Sequence, residues 1–181
     1  MKVSVLNEAG YDEAMLGLSL SYSQPVENME DVARKLIGKG GSHTKFLESI
    51  VVWLDVTAPR YFYQQLSTYR VGISVQSAST MHTLLARPVT QDDFCVPIPL
   101  GIINTINLRI RSKQLGAVKG LLPEGFLQRR IVCLNYKCLS NIYGQRIKHK
   151  LPEWQVFLGA VLEGIEHPEF ITGIKEVHNE E

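Results

Sequence analysis

Two polar segments carry the residue types that could do chemistry. The first, residues 67–82 (STYRVGISVQSASTMH), is dense in hydroxyl and amide side chains and holds one formal charge, Arg70. The second, residues 135–150, brings Asn135, Asn141 and Arg146 together with lysines. Hydroxyls, amides and cations are the donors that a ligand rich in phosphate and heteroatoms requires. Each segment follows an apolar run, residues 50–56 and 126–134, so ordered elements could hold both against one pocket.

The elements that must position them can be read from periodicity. Residues 2–6 alternate as a strand, and 11–20 read as a helix. Asn28 can cap a helix whose apolar positions Met29, Val32, Ala33, Leu36 and Ile37 recur at helical spacing. Gly38, Gly40 and Gly41 end it and begin a loop carrying His43. Residues 50–56 are too continuously apolar for a half-exposed strand and are expected to be buried. Pro59 is expected near the first position of a helix bearing Phe62, Leu66 and Tyr69 on one face. Residues 67–82 read as a polar loop, and 87–100, with Pro88, Pro97 and Pro99, as another. A helix is expected over 102–115, although 106–110 could also form a strand. Leu122-Pro123 marks a boundary. A strand over 126–134, a helix over 136–146 capped by Asn135, and an amphipathic helix over 152–165 complete the pattern. The chain thus reads as α+β and as one domain over 1–181.

Composition narrows the function classes. The chain has 181 residues, 45% of them apolar, and a formal net charge of +1, which predicts no strong attraction to nucleic acid or to an anionic membrane. No apolar run approaches the roughly 20 residues of a membrane span. Basic residues concentrate over 109–119 and 129–150, either as a phosphate-facing patch or as a solvated face. Cys95, Cys133 and Cys138 are odd in number and lack zinc-knuckle spacing, and no His cluster completes a metal site. They read as buried fillers in a reducing, cytoplasmic protein.

The segment HTKFLESIVVWLDVTAPRYFYQQLSTYRVGISVQSASTMH resembles the central region of flavin-dependent thymidylate synthases. In that family a His-bearing loop, a Glu, an apolar strand and a helix with Gln precede the signature R-H-R-x-x-S-x-N-E-x-S-x-R-Y. The segment KGLLPEGFLQRRIVCLNYKCLSNIYGQR resembles the family's second block, in the same order and at a similar separation. The resemblance implies a small antiparallel sheet surrounded by helices and homotetramers with shared active sites. It implies one-carbon transfer from methylenetetrahydrofolate to C5 of dUMP, giving dTMP, with FAD and NADPH as the redox partners.

Carried over by position, His43, Arg70, Asn135 and Asn141 fall at flavin-contacting places. Gln65 and Arg146 fall beside the pyrimidine, as the residues expected to act in catalysis. Ser74, Gln76, Ser79 and Lys119 fall where substrate is bound. Each also has a plainer reading: a salt bridge for Arg70, a helix-end cation for Arg146, an exposed amide for Gln65, a helix cap for Asn135 and a polar loop for the serines. The signature is altered at Thr68, Tyr69, Gln76, Ser77, Met81 and His82, with one extra residue between Arg70 and Ser74. Two missing arginines remove charge-assisted contacts of about 1.5–3 kcal/mol each. The retained residues therefore speak for flavin more than for uridylate. A relative acting on another pyrimidine nucleotide, or a non-catalytic flavin- or nucleotide-binding homologue, stays open beside the synthase.

Overall fold

The computed structural model describes residues 1–173. It begins with β1 (Lys2–Ala9), followed by α1 (Tyr11–Tyr22) and α2 (Met29–Ile37). The turn into α1 is Gly10 at φ 93, where an added Cβ would lie 2.1 Å from the Ser49 carbonyl oxygen, so only glycine fits. Next come β2 (Val51–Pro59), α3 (Arg60–Leu66), β3 (Ile73–Ser77) and the one-turn α4 (Thr80–Thr83). They are followed by α5 (Leu100–Arg111), α6 (Leu115–Leu121), β4 (Leu127–Asn135), α7 (Tyr136–Arg146), α8 (Glu153–Gly164) and the short α9 (Glu169–Thr172).

The strands form one sheet in the order β1-β2-β4-β3, every neighbouring pair antiparallel. Its inner face is dry. Val52, Leu54, Val56 and Ala58 of β2 are fully buried, and Val132 and Leu134 of β4 lie opposite Leu54 and Val52. Residues of α1, α2, α3, α7, α8 and α9 pack on that face. Phe62, Trp154 and Phe157 form its aromatic centre, with Phe62 and Trp154 centroids 4.7 Å apart. Truncating one such ring costs about 3–5 kcal/mol. A second apolar cluster unites α5 and α6 with Leu84, Val89 and Phe94.

The α+β reading stands, with local corrections. Residues 50–56 are buried on one face only: Val51, Trp53 and Asp55 alternate outward and are half-exposed. The strand runs on through Pro59, whose extended backbone (φ −68, ψ 157) precedes the helix. Asn28 makes no side-chain cap bond, because a 3-10 turn already holds its backbone in the helical region. Residues 41–48 are 3-10 helix, not open loop. The helix expected over 102–115 is two helices, broken where Lys113 adopts φ 55. The polar loop 67–82 contains β3 and α4.

Candidate functional site

The residues singled out above fall into three patches. The first joins α3, α7 and α8. Gln65 sits in the last turn of α3, and its side-chain oxygen accepts a 2.7 Å bond from Trp154 Nε1. The chain then turns tightly: Thr68 N donates to Gln65 O and Tyr69 N to Leu66 O, with Thr68 Oγ1 adding a 2.7 Å bond to Gln65 O. That turn keeps Tyr69 edge-on to Trp154, centroids 6.3 Å apart. Arg146, in the last turn of α7, donates from Nε to the Tyr69 hydroxyl at 2.9 Å. Its guanidinium carbon lies 5.1 Å from the Trp154 ring centroid. The Tyr69 hydroxyl donates to Gln145 Oε1 at 3.0 Å, and Gln145 Nε2 donates to Asn141 Oδ1 at 3.1 Å. Arg34, Arg60, Arg87 and Arg129 each pair with a carboxylate. Half-buried Arg146 pairs with none among the described residues.

The second patch surrounds the start of α7. Asn135 Oδ1 accepts from Cys138 N at 2.8 Å, the cap expected from sequence. Its backbone N donates to Gly72 O at 2.9 Å, and Nδ2 reaches Glu48 O at 3.3 Å. Lys137 Nζ bonds Gly41 O at 2.9 Å and also Thr44 Oγ1. These ties bring the His43 segment and the 70–72 turn to one helix end. Gly72 has φ 71, and a Cβ there would fall 2.6 Å from both terminal atoms of Asn135. His43 is exposed and lines a cleft of about 370 Å³ with Glu13, Tyr22, Lys45 and Glu48. Arg70 is exposed and has no carboxylate partner among the described residues.

The third patch is the β3 edge. Ser74 and Gln76 stand opposite Cys133 and Ile131, on the outer face of the sheet. Ser79 precedes α4, and Lys119 Nζ lies 3.4 Å from Met81 Sδ, so the expected substrate-side residues Ser79 and Lys119 flank the same short helix. A cleft of about 150 Å³ beside it is lined by Ala78, Thr80, Phe126 and Gln128.

The structure thus gathers Gln65, Asn141 and Arg146 into one network and His43, Arg70 and Asn135 around one helix end. Neither cleft is lined by Gln65, Arg70, Asn135, Asn141 or Arg146. Asn135 is occupied by its own fold at both ends of its amide. Tyr69 and Trp154 join the Gln65–Arg146 network although sequence reading placed them as a signature departure and as core. The signal was present for Trp154, since a buried indole N–H must find an acceptor. Of the three cysteines only Cys138 is buried, and burial pushes its thiol up to about 11; Cys95 and Cys133 are half-buried, and among the described residues no cysteine joins the Gln65–Arg146 network through a hydrogen bond.

A dinucleotide such as FAD needs cationic donors that no carboxylate has already neutralised. Arg70 meets that condition among the described residues, so the donor set fits the group.

No protein-family model matches the chain, and no curated protein matches it. Solved structures do. The flavin-dependent thymidylate synthase ThyX of Helicobacter pylori, complexed with FAD and dUMP, superimposes with a TM-score of 0.77 at 18% identity. The match covers 97% of this chain and 100% of that one. A second structure of the same synthase with FAD and dUMP gives a TM-score of 0.76 at the same identity and coverage. The chain has the fold of these flavin-dependent synthases, as the two sequence blocks led one to expect. Among the described residues no helix is long and apolar enough to cross a membrane.

Proposed function

We propose that this chain is a thymidylate synthase of the flavin-dependent type. In this reading it moves one carbon from methylenetetrahydrofolate to C5 of dUMP, with FAD and NADPH as redox partners, in the cytoplasm. The observation that carries the reading is Arg146: half-buried, held by Tyr69 and Trp154, beside Gln65, and unpaired with any described carboxylate. An arginine so placed offers donors to a ring carbonyl and favours the negative charge that develops there. Gln65 orients the base edge, and Ser74, Gln76, Ser79 and Lys119 hold the nucleotide. His43, Arg70 and Asn141 hold FAD, with Asn135 shaping the helix end beside it through its cap, and the isoalloxazine would supply the redox chemistry when bound. The separation of the three patches on one chain supports a homotetramer in which neighbouring copies complete each other's sites.

The altered signature favours a second reading. Where the signature has its first Arg, Thr68 is spent on a local helix-end bond, so the phosphate grip must come from elsewhere. A different pyrimidine nucleotide, or flavin binding without turnover, would accommodate that loss. Purified protein titrated with FAD should gain a bound-flavin spectrum, and dUMP should then accelerate NADPH oxidation and yield dTMP with methylenetetrahydrofolate. If dCMP works where dUMP fails, the substrate has changed. Flavin binding without turnover of any nucleotide would leave a binding protein, and no flavin binding at all would overturn the reading.

A further inference from the structure

Two adjacent arginines of β4 point to opposite faces of the sheet and are used differently. Arg129 faces out, and its Nε and Nη2 are both spent on Asp55. Arg130 has the parity of buried Val132 and Leu134 and so faces in. Its guanidinium carbon lies 3.9 Å from the Tyr63 ring centroid. Nη2 donates to Gln128 Oε1 at 2.8 Å, and Nε is buried with no acceptor among the described residues. No described carboxylate pairs with this half-buried cation. Burial lowers its pKa from the ordinary arginine value, against a smaller opposing effect of Tyr63. The fold thus holds a partly desolvated cation at a cost, which an anion arriving with a ligand would offset.

The strand register supplies a second observation. Ser77 of β3 stands directly opposite Arg130, on the same face of the sheet, and is exposed. It occupies the place where the altered signature has Glu. A carboxylate there would reach Arg130 and neutralise it, whereas serine leaves the cation free and adds a hydroxyl donor. Ser79, already proposed to hold nucleotide, follows in extended backbone (φ −74, ψ 110) and continues the same alternation. We propose that Arg130 and Ser77 form the subsite for the phosphate group of the nucleotide, in place of the arginines absent from the signature. The proposal rests on the proposed function and deepens it by locating the phosphate grip. Tyr63 fixes the plane of the guanidinium and Gln128 its rotation, so the donors that remain are held ready for phosphate oxygens. FAD carries phosphate as well, and the test separates the two sources.

Two variants test this without emptying the core. Arg130→Met keeps an unbranched stem over Tyr63 and removes the donors. Ser77→Glu sets a carboxylate opposite Arg130 and occupies its donors from within the protein. Wild type and variants would be titrated with FAD, and the FAD-loaded proteins with dUMP and with deoxyuridine, which lacks the phosphate. The flavin spectrum reports binding, and thermal unfolding is recorded in parallel. Each variant should weaken dUMP binding at least about 10-fold and leave the affinities for deoxyuridine and FAD unchanged. Melting temperatures should stay level or rise, because each change removes an uncompensated charge, whereas loss of a merely structural arginine would lower them. Unchanged dUMP affinity in both variants, equal losses for dUMP and deoxyuridine, or loss of FAD affinity in place of dUMP affinity would each overturn the subsite while leaving the proposed function intact. Losses that track a lowered melting temperature would overturn it too. Failure of the wild type to bind dUMP would overturn both.

Discussion

Replacing Gly72 with alanine would place a methyl group where the Asn135 side chain already stands. The added Cβ would meet Asn135 Nδ2 and Oδ1 at 2.6 Å and Cγ at 2.8 Å, far inside contact distance. Asn135 cannot yield without giving up its bond from Cys138 N, the cap of α7. Two costs therefore add: about 1–2 kcal/mol for a side chain in the left-handed region at φ 71, and about 0.5–2 kcal/mol for the lost cap. Gly72→Ala should destabilise the protein by about 1.5–4 kcal/mol, and Asn135→Ala by about 0.5–2 kcal/mol. Once the cap is lost through the clash, deleting Asn135 has nothing further to remove. The double variant should then cost no more than Gly72→Ala alone. Urea unfolding followed by far-ultraviolet circular dichroism, with the denaturant slope checked for constancy, measures all four corners of the cycle. A double variant whose cost equals the sum of the singles within about 0.5 kcal/mol would refute the argument that glycine is required there by Asn135.

Other expectations are separable from that one. Arg146→Ala should lower turnover about 100–1,000-fold while moving the melting temperature little, and parallel losses of both would assign Arg146 to structure. The bond from Arg87 holds the Asp93 carboxyl below its usual range, helped by Thr90 and opposed by partial burial. Because the folded-state value is depressed, the stabilisation is present above the ordinary aspartate value of about 4 and is lost as pH falls through the lower folded value. Asp93→Asn should therefore flatten the acid limb of stability below about pH 4, and an unchanged profile would contradict the assignment. With its thiol pushed up to about 11, Cys138 should escape iodoacetamide in the native protein at pH 8, as peptide mapping would show. Cys133→Ser should leave turnover intact, and loss of turnover in a folded variant would bring a thiol into the chemistry.

The fold was legible wherever one side of an element is dry. The helix over 136–146 has the bounds read from sequence because Asn135 both caps it and ends the strand before it. The strand β3 was hidden by being an edge: only Ile73 is half-buried and the next four residues are exposed, so no alternation betrays it. The break between α5 and α6 was hidden because Lys113 takes a left-handed conformation with no glycine to announce it. The site was half-legible. Gln65, Asn141 and Arg146 could be singled out by motif as candidates, but their partners could not. Trp154 lies 89 positions from Gln65, and Arg146 lies 77 from Tyr69. Pairings across such separations are made by α3, α7 and α8 packing on one face of the sheet, and no local spacing encodes them.

The middle of the sheet has a kinetic side. Pro59 ends one central strand and lies opposite Leu127, which begins the other, so the chain between them must leave this pair of strands and return to the same point. That intervening length carries α3, the β3 edge, α4, α5 and α6. Closing it costs chain entropy before the inner valines of the two strands reward each other. That long return raises the contact order of the fold and slows the approach to the native state relative to a chain whose central strands pair locally.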